Sequence, residues 1–235
     1  MDQLILELFS LNARDKGAVH LVPEDLAQEF ANRATSIRKG VRQSIITQTD
    51  QTDDVYLIES GTVEFSQLSP SSKETVFREC GPGEMFGELA ALDNSLRSLT
   101  ATATCDCTLL KMSGTQFQDL IDESPQFRNW LLRSLAYRVR GLSLKVFSLA
   151  TMTVPCRLWT ELLRRAREVD AKTDSVEIKN FPTHSKLAAT LGTHREAVSR
   201  ELSELTKDGI IAQDRRTMTV KSVSKLEHML ERYLS

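Results

Sequence analysis

Paired cysteines are missing from this 235-residue chain: Cys80, Cys105, Cys107 and Cys156 form no Cys-x-x-Cys. Histidine is scarce as well. His20, His184, His194 and His228 form no His-Glu-x-x-His and no Cys/His cluster, so the ligand spacings of zinc and iron–sulfur sites are absent. Cys105 and Cys107, two apart, read as small residues on one face of a strand. A metal-dependent enzyme on a β-roll would need several ligands converging, yet His20 is the one histidine before Thr153. The expectation is neither metal nor catalysis. No run approaches the roughly 18 apolar residues of a membrane span. An acid follows Met1 where an export signal carries basic residues. These absences point to a cytoplasmic protein without a membrane partner.

What is present is ordinary in amount and uneven in arrangement. Hydrophobic residues make up 40% and charged residues 26%, as in soluble globular proteins, and the length suits two modest domains. A net charge of −2 hides an asymmetry. Through Thr153 there are 15 Lys and Arg against 20 Asp and Glu; from Val154 onward there are 15 against 12. An acidic front half joined to a mildly basic back half suits a sensor linked to a nucleic-acid binder.

The texture changes along the chain. Helical spacing runs through residues 4–35, notably at Pro23 to Ala31, with Pro near the start and acids in the first turn. From Thr35 to Met112, short runs such as Val55–Ile58, Gly61–Phe65 and Thr75–Phe77 alternate with Gly, Pro, Ser and Asp, the pattern of a small sandwich or jelly roll. After Ser124-Pro125 a helical pattern continues for nearly thirty residues. Leu135, Leu142, Val146, Leu149 and Thr153 are its inward candidates, and from Leu142 they step four, three, four, as a heptad seam does. Such a helix is too long for one small roll to cover, so the seam predicts a second copy, with packing on its own domain as the alternative reading. Thr153-Val154-Pro155 reads as an N-cap with Pro in the next first turn, where one helix ends and another begins.

Two segments carry the chemistry. In Phe86-Gly87-Glu88-Leu89-Ala90 through Arg97-Ser98-Leu99-Thr100-Ala101, Gly87 lets backbone approach a ligand and Glu88 can accept from a ribose 2′-OH. Nine residues past Glu88, Arg97 offers a guanidinium fork to a phosphate, and Ser98 adds a hydroxyl. A cyclic nucleotide asks for these groups together. A plain structural ion pair between Arg97 and Glu88 is the competing reading. The second segment, Thr183 to Leu202, has the make-up of a helix-turn-helix. Thr183 caps the first helix, Ala188 allows a close crossing, Gly192 turns the chain, Thr193 caps the second helix, and Val198, Leu202 and Leu205 form its buried stripe. Opposite that stripe lie His194, Arg195, Glu196, Ser199 and Arg200, of which Arg suits guanine and Glu suits cytosine in the major groove. A Glu196–Arg200 pair supporting its own helix is the alternative. Ile210–Ile211 and Met218–Val220 read as two strands of a wing around Arg215 and Arg216, which are placed, with Lys186, to meet phosphate.

The first segment resembles the phosphate-binding cassette of cyclic-nucleotide-binding domains, F-G-E-[LI]-A followed by R-[ST]-A. The whole chain resembles the cAMP receptor protein/FNR superfamily of bacterial transcription regulators, and Arg195-Glu196-x-Val198-x-Arg200 matches the recognition helix of the cAMP receptor branch. The resemblance implies an α+β chain in three parts: an N-terminal jelly roll with its leading helices over 1–123, a dimerisation helix over 124–152 and a winged helix-turn-helix over 153–235. It implies cAMP or cGMP as effector, held by Gly87, Glu88, Leu89, Arg97, Ser98, Leu142 and Ser143. It further implies a homodimer on a palindrome of TGTGA-like half-sites, and RNA polymerase as a further partner at the loop Val169–Ser175. Leu142, Leu99 and Glu201 depart from the pattern, and Ser98 is one choice within it. Leu142-Ser143 stands where the cAMP receptor has a Thr-Ser pair against the adenine. Leu99 replaces an Ala, Ser98 is of the type that also suits cGMP, and Glu201 occupies a usually apolar place. A family member answering to cyclic di-GMP, to another effector or to none is the alternative those departures leave open.

Overall fold

The computed structural model describes residues 21–68, 74–170 and 172–234. The expected helical spacing before residue 21, and His20, lie outside them. The chain forms two compact units that divide between Arg138 and Val139.

In the first unit, α1 (Glu24–Ala31) follows Pro23, whose fixed φ suits a helix start, and turns Leu26 and Phe30 inward. Eight strands follow: β1 (Thr35–Lys39), β2 (Ser44–Ile46), β3 (Val55–Ser60), β4 (Val63–Leu68), β5 (Glu74–Cys80), β6 (Met85–Phe86), β7 (Thr100–Ala103) and β8 (Cys107–Met112), with α2 (Glu88–Asp93) between β6 and β7. They pair antiparallel as two four-stranded sheets, β1-β8-β3-β6 and β2-β7-β4-β5. Strand β3 shows why alternation was not visible in Val55-Tyr56-Leu57-Ile58. Tyr56 and Ile58 pack inside the roll with Phe65, Phe86 and Leu109, while Val55 and Leu57 pack under the helices with Phe30, Phe117 and Phe127. A strand buried on both faces has no polar side to alternate with. Cys105 and Cys107 do not share a strand face as expected: Cys107 is buried at the start of β8, and Cys105 is exposed before it.

A capping box of Ser113 and Gln116 opens α3 (Gly114–Glu123). Then α4 runs for 27 residues, Pro125–Thr151. Its first half buries Phe127, Trp130 and Leu131, and the Trp130 indole donates to the Leu21 carbonyl at 3.1 Å. Within the second unit its remaining turns expose Leu142 (61%), Val146 (65%) and Leu149, and Thr153 lies past the helix end.

The second unit holds α5 (Val154–Val169), β9 (Val176–Ile178), α6 (His184–Leu191), α7 (Arg195–Lys207), β10 (Ile211–Asp214), β11 (Thr217–Val220) and α8 (Val223–Leu234). Thr153 is the N-cap residue of α5, with Pro155 in the first turn. The wing is a three-stranded antiparallel sheet, β10-β11-β9; β9 was not expected, and at three residues it is too short for a period to show. Leu158, Leu162, Leu187, Val198, Leu202, Ile211, Met218 and Leu226 form one core. Asp174 anchors α8 from a distance, accepting from the Ser224 N–H at 2.7 Å and the Ser222 hydroxyl at 3.0 Å. These bonds, Ser224's first, hold its carboxyl below the usual range.

Candidate ligand site and DNA-reading face

The ligand cassette is built around a left-handed glycine. Gly87 (φ 88°) caps α2, and a Cβ there would lie 2.7 Å from the Asp54 carbonyl oxygen. No side chain fits, so the chain can turn its backbone toward Arg97. Arg97 is 4% exposed. Its Nη1 donates to the Gly87 carbonyl at 2.8 Å, Nη2 to the Asp54 carbonyl at 2.7 Å and Nε to Thr52 Oγ1 at 3.1 Å. The backbone closes the same loop, with Arg97 N–H on the Asp50 carbonyl and Thr49 N–H on the Arg97 carbonyl, both at 3.1 Å. A guanidinium carries five N–H donors, so two remain for a ligand.

Glu88 is 2% exposed, and it does not pair with Arg97. The structural ion pair weighed as the competing reading is thereby overturned. The partner of Glu88 is Arg138 on α4, whose Nη1 donates to Glu88 Oε1 and whose Nη2 donates to the Met85 carbonyl at 3.2 Å. Arg138 was missed because nothing in its local sequence marks it: fifty residues separate it from Glu88. Glu88 Oε2 is left to accept elsewhere. Leu89 and Ser98 are exposed beside this centre. Leu142 and Ser143 belong to the second unit, on exposed turns of α4, where the Ser143 hydroxyl donates to the Val139 carbonyl at 3.0 Å. Cys80 and Cys156 thiols are pushed up to about 12 by burial, so both stay protonated at neutral pH.

On the second unit the two helices of the helix-turn-helix meet as expected in all but one detail. Thr183 Oγ1 accepts from the Lys186 N–H at 3.3 Å. Gly192 turns in the left-handed region (φ 63°), where a Cβ would lie 2.7 Å from Leu149 Cδ2. The N-cap of α7, however, is His194 rather than Thr193, and it makes no side-chain cap. Thr193 is drawn back by its own N–H, which donates to the Ala188 carbonyl at 2.9 Å and makes it part of the turn. Arg195, Glu196 and Arg200 are exposed, and among the described residues their side chains form no salt bridge or hydrogen bond, so the Glu196–Arg200 pair is not made. Ser199 is half-buried, its hydroxyl 2.8 Å from His184 Nδ1. Lys186 is exposed, as are Arg215 and Arg216 at the wing tip, where Arg215 takes φ 49°.

Glu201, the charged residue at a usually apolar place, is buried, 8% exposed, and accepts from Trp159 Nε1 at 2.8 Å. Burial raises its pKa, against the pull of that indole bond. Among the described residues no cluster of His, Cys, Asp and Glu is arranged to hold a metal, and no helix is long and apolar enough to cross a membrane.

A roll with this cassette and a winged helix-turn-helix define a transcription regulator that binds a cyclic nucleotide and DNA, not an enzyme. Residues 36–124 match the cyclic nucleotide-binding domain family, and residues 156–229 match the Crp-like helix-turn-helix domain family. The Cyclic AMP receptor protein of Thermus thermophilus is 31% identical over 185 residues, 79% of this chain and 83% of that protein. The CRP-like cAMP-activated global transcriptional regulator of Mycobacterium tuberculosis is 25% identical over 184 residues, 78% and 82% of the two chains. A CooA mutant from Carboxydothermus hydrogenoformans superposes with a TM-score of 0.74 at 22% identity, over 86% of this chain and 90% of that one. The chain belongs to the cAMP receptor protein/FNR superfamily of transcription regulators, on its cAMP-receptor-like branch.

Proposed function

We propose that the effector is a cyclic purine mononucleotide, cAMP or cGMP, which gates a homodimer on a palindromic operator with TGTGA-like half-sites. The observation that carries this is Arg97: a buried guanidinium fixed by three protein acceptors, with two donors left beside a left-handed glycine. In this reading Arg97, Ser98 and the backbone of Gly87 and Leu89 hold the cyclic phosphate, and Glu88 accepts the 2′-OH on its free oxygen. Leu142 and Ser143 face the base. The exposed seam of Leu142, Val146 and Leu149 supports dimerisation, since an apolar stripe at heptad spacing on a single chain wants a partner.

On DNA, Arg195 and Arg200 read guanines and Glu196 a cytosine. Thr183, Lys186, His194, Ser199, Arg215 and Arg216 line the contact. The functional division is 1–123 for sensing, 124–152 for dimerisation and 153–235 for DNA, and the protein works in the cytoplasm, with RNA polymerase as a further partner. Leu142 carries no hydroxyl for adenine, so selectivity between cAMP and cGMP stays within about two decades.

Calorimetric titration of the full chain with cAMP, cGMP and cyclic di-GMP, repeated on Arg97→Ala, tests the reading. Micromolar binding of a mononucleotide that weakens at least about tenfold in the variant is expected. Binding of cyclic di-GMP alone would select the alternative effector, and no binding of any would sink nucleotide gating.

A further inference from the structure

His184 opens α6 one residue after the Thr183 cap, and its ring touches two other elements of the DNA-reading unit. Nδ1 lies 2.8 Å from Ser199 Oγ, on the recognition helix α7 between Glu196 and Arg200. Nε2 lies 3.4 Å from Gln213 Oε1, on β10 two residues before Arg215. One imidazole thus joins the first helix of the motif, the base-reading helix and the wing. The apolar core holds these elements together underneath through Leu187, Val198, Leu202, Ile211 and Met218. Such packing is non-directional, whereas two hydrogen bonds from one rigid ring fix a direction at the surface. Gln213 Oε1 only accepts, so the contact puts a proton on Nε2. In the neutral ring Nδ1 then accepts from the Ser199 hydroxyl, and in the charged ring it donates to it.

We propose that His184 is a positioning residue for DNA recognition, holding the recognition helix and the wing in one register. Arg195 and Arg200 then meet base edges at the same time as Arg215 and Arg216 meet phosphate. Ser199 takes a different part from the one read off its place on the helix: its hydroxyl is spent on His184 and orients the helix instead of reading a base. The inference rests on the DNA-reading assignment proposed above, and it adds a residue acting through others.

The test uses the full chain with saturating cAMP, first selecting the tightest duplex from a randomised pool and then measuring anisotropy on that duplex and on a scrambled one. His184→Ala and Ser199→Ala should each weaken the selected duplex by roughly tenfold, the size of one lost directional bond at an interface. Scrambled DNA, bound through charge, should change by less than about threefold. The double variant should be no weaker than either single one, because both break the same bond. Gln213→Ala should give a smaller loss of the same kind.

Equal losses on both duplexes, with the salt slope reduced by about one, would overturn the role by making His184 a phosphate contact. Additive losses would overturn it too. A wild type with no preference for any duplex would refute the DNA-reading assignment itself. Imidazole nitrogen resonances read the bridge independently of DNA: Ser199→Ala should move the Nδ1 signal in the free protein, and an unmoved signal overturns the bridge whatever the duplexes show.

Discussion

Arg97 and Arg195 are the same residue type put to opposite uses. Arg97 is buried, with three of its donors already on protein oxygens and a glycine cleared beside it. Arg195 is exposed, and among the described residues its side chain forms no salt bridge or hydrogen bond, as is true of Glu196 and Arg200. Under the function proposed above, the contrast follows from the size of the ligand. A small anion cannot supply enough contacts to order a long side chain, so the roll orders it beforehand and the ordering cost is met during folding. A DNA duplex offers many contacts and its own charges, so the recognition helix keeps its cations hydrated until the partner arrives. On that proposal, fold stability and ligand affinity should be tied together in the first unit and separable in the second.

The largest effect should come from striking the tied site. Arg97→Ala leaves the Gly87 and Asp54 carbonyls and Thr52 Oγ1 without their donor, so roll stability should drop by about 3 kcal/mol along with the ligand affinity. Arg97→Lys keeps the charge but cannot reach three acceptors, and should fall between. A ligand-dead variant with unaltered denaturant midpoint would break the comparison.

Next comes Arg138→Ala, which strands Glu88 at 2% exposure. A fully buried pair broken on one side costs about 3–5 kcal/mol; Arg138 is partly exposed, so about 2–3 kcal/mol is expected. Adding Glu88→Gln should return part of that stability. Urea melts of the single and double variants decide it, and additive losses would mean the two side chains do not act as a pair.

On the second unit the same kind of change should spare the fold. Arg195→Ala should lose about 1–3 kcal/mol of discrimination at one base pair while stability moves by less than about 0.5 kcal/mol. Arg215→Ala should weaken all duplexes alike and lower the salt slope by about one. A half-site panel with parallel thermal melts separates the two; a selective loss from Arg215→Ala would put sequence reading in the wing.

The smallest effect sharpens the comparison from within the winged helix. Glu201 is a buried carboxyl with an indole donor and no cation bonded to it, and burial raises its pKa. A raised carboxyl pKa means the native state binds the proton more tightly than the unfolded chain. Stability should then fall as pH rises from the unfolded value near 4.3 to the raised native value, and stay level above it. Glu201→Gln keeps an acceptor for Trp159 and should flatten that slope, gaining about 1 kcal/mol or less near pH 7. A slope identical in wild type and variant would show that other groups set it.

Much of this architecture is legible in the chain because it rests on local physics. Pro23, Thr183 and Gly192 act within their own turn of chain and start or turn helices where expected. Spacing alone places Val198, Leu202 and Leu205 on one face of α7. Gly87, Glu88 and Arg97 lie within one short stretch, so the spacing of the proposed cassette is visible in the chain. The tertiary structure alone decided which polar groups meet. Glu88 finds Arg138 rather than Arg97, Ser199 is claimed by His184, and Glu201 by Trp159. Hydrogen-bond partners far apart in sequence leave no periodicity, because either residue looks like any surface residue until packing brings the two together in a place that excludes water. The order of elements and the spacing of the proposed cassette are therefore written locally, while the partner of each buried charge follows from how those elements stack.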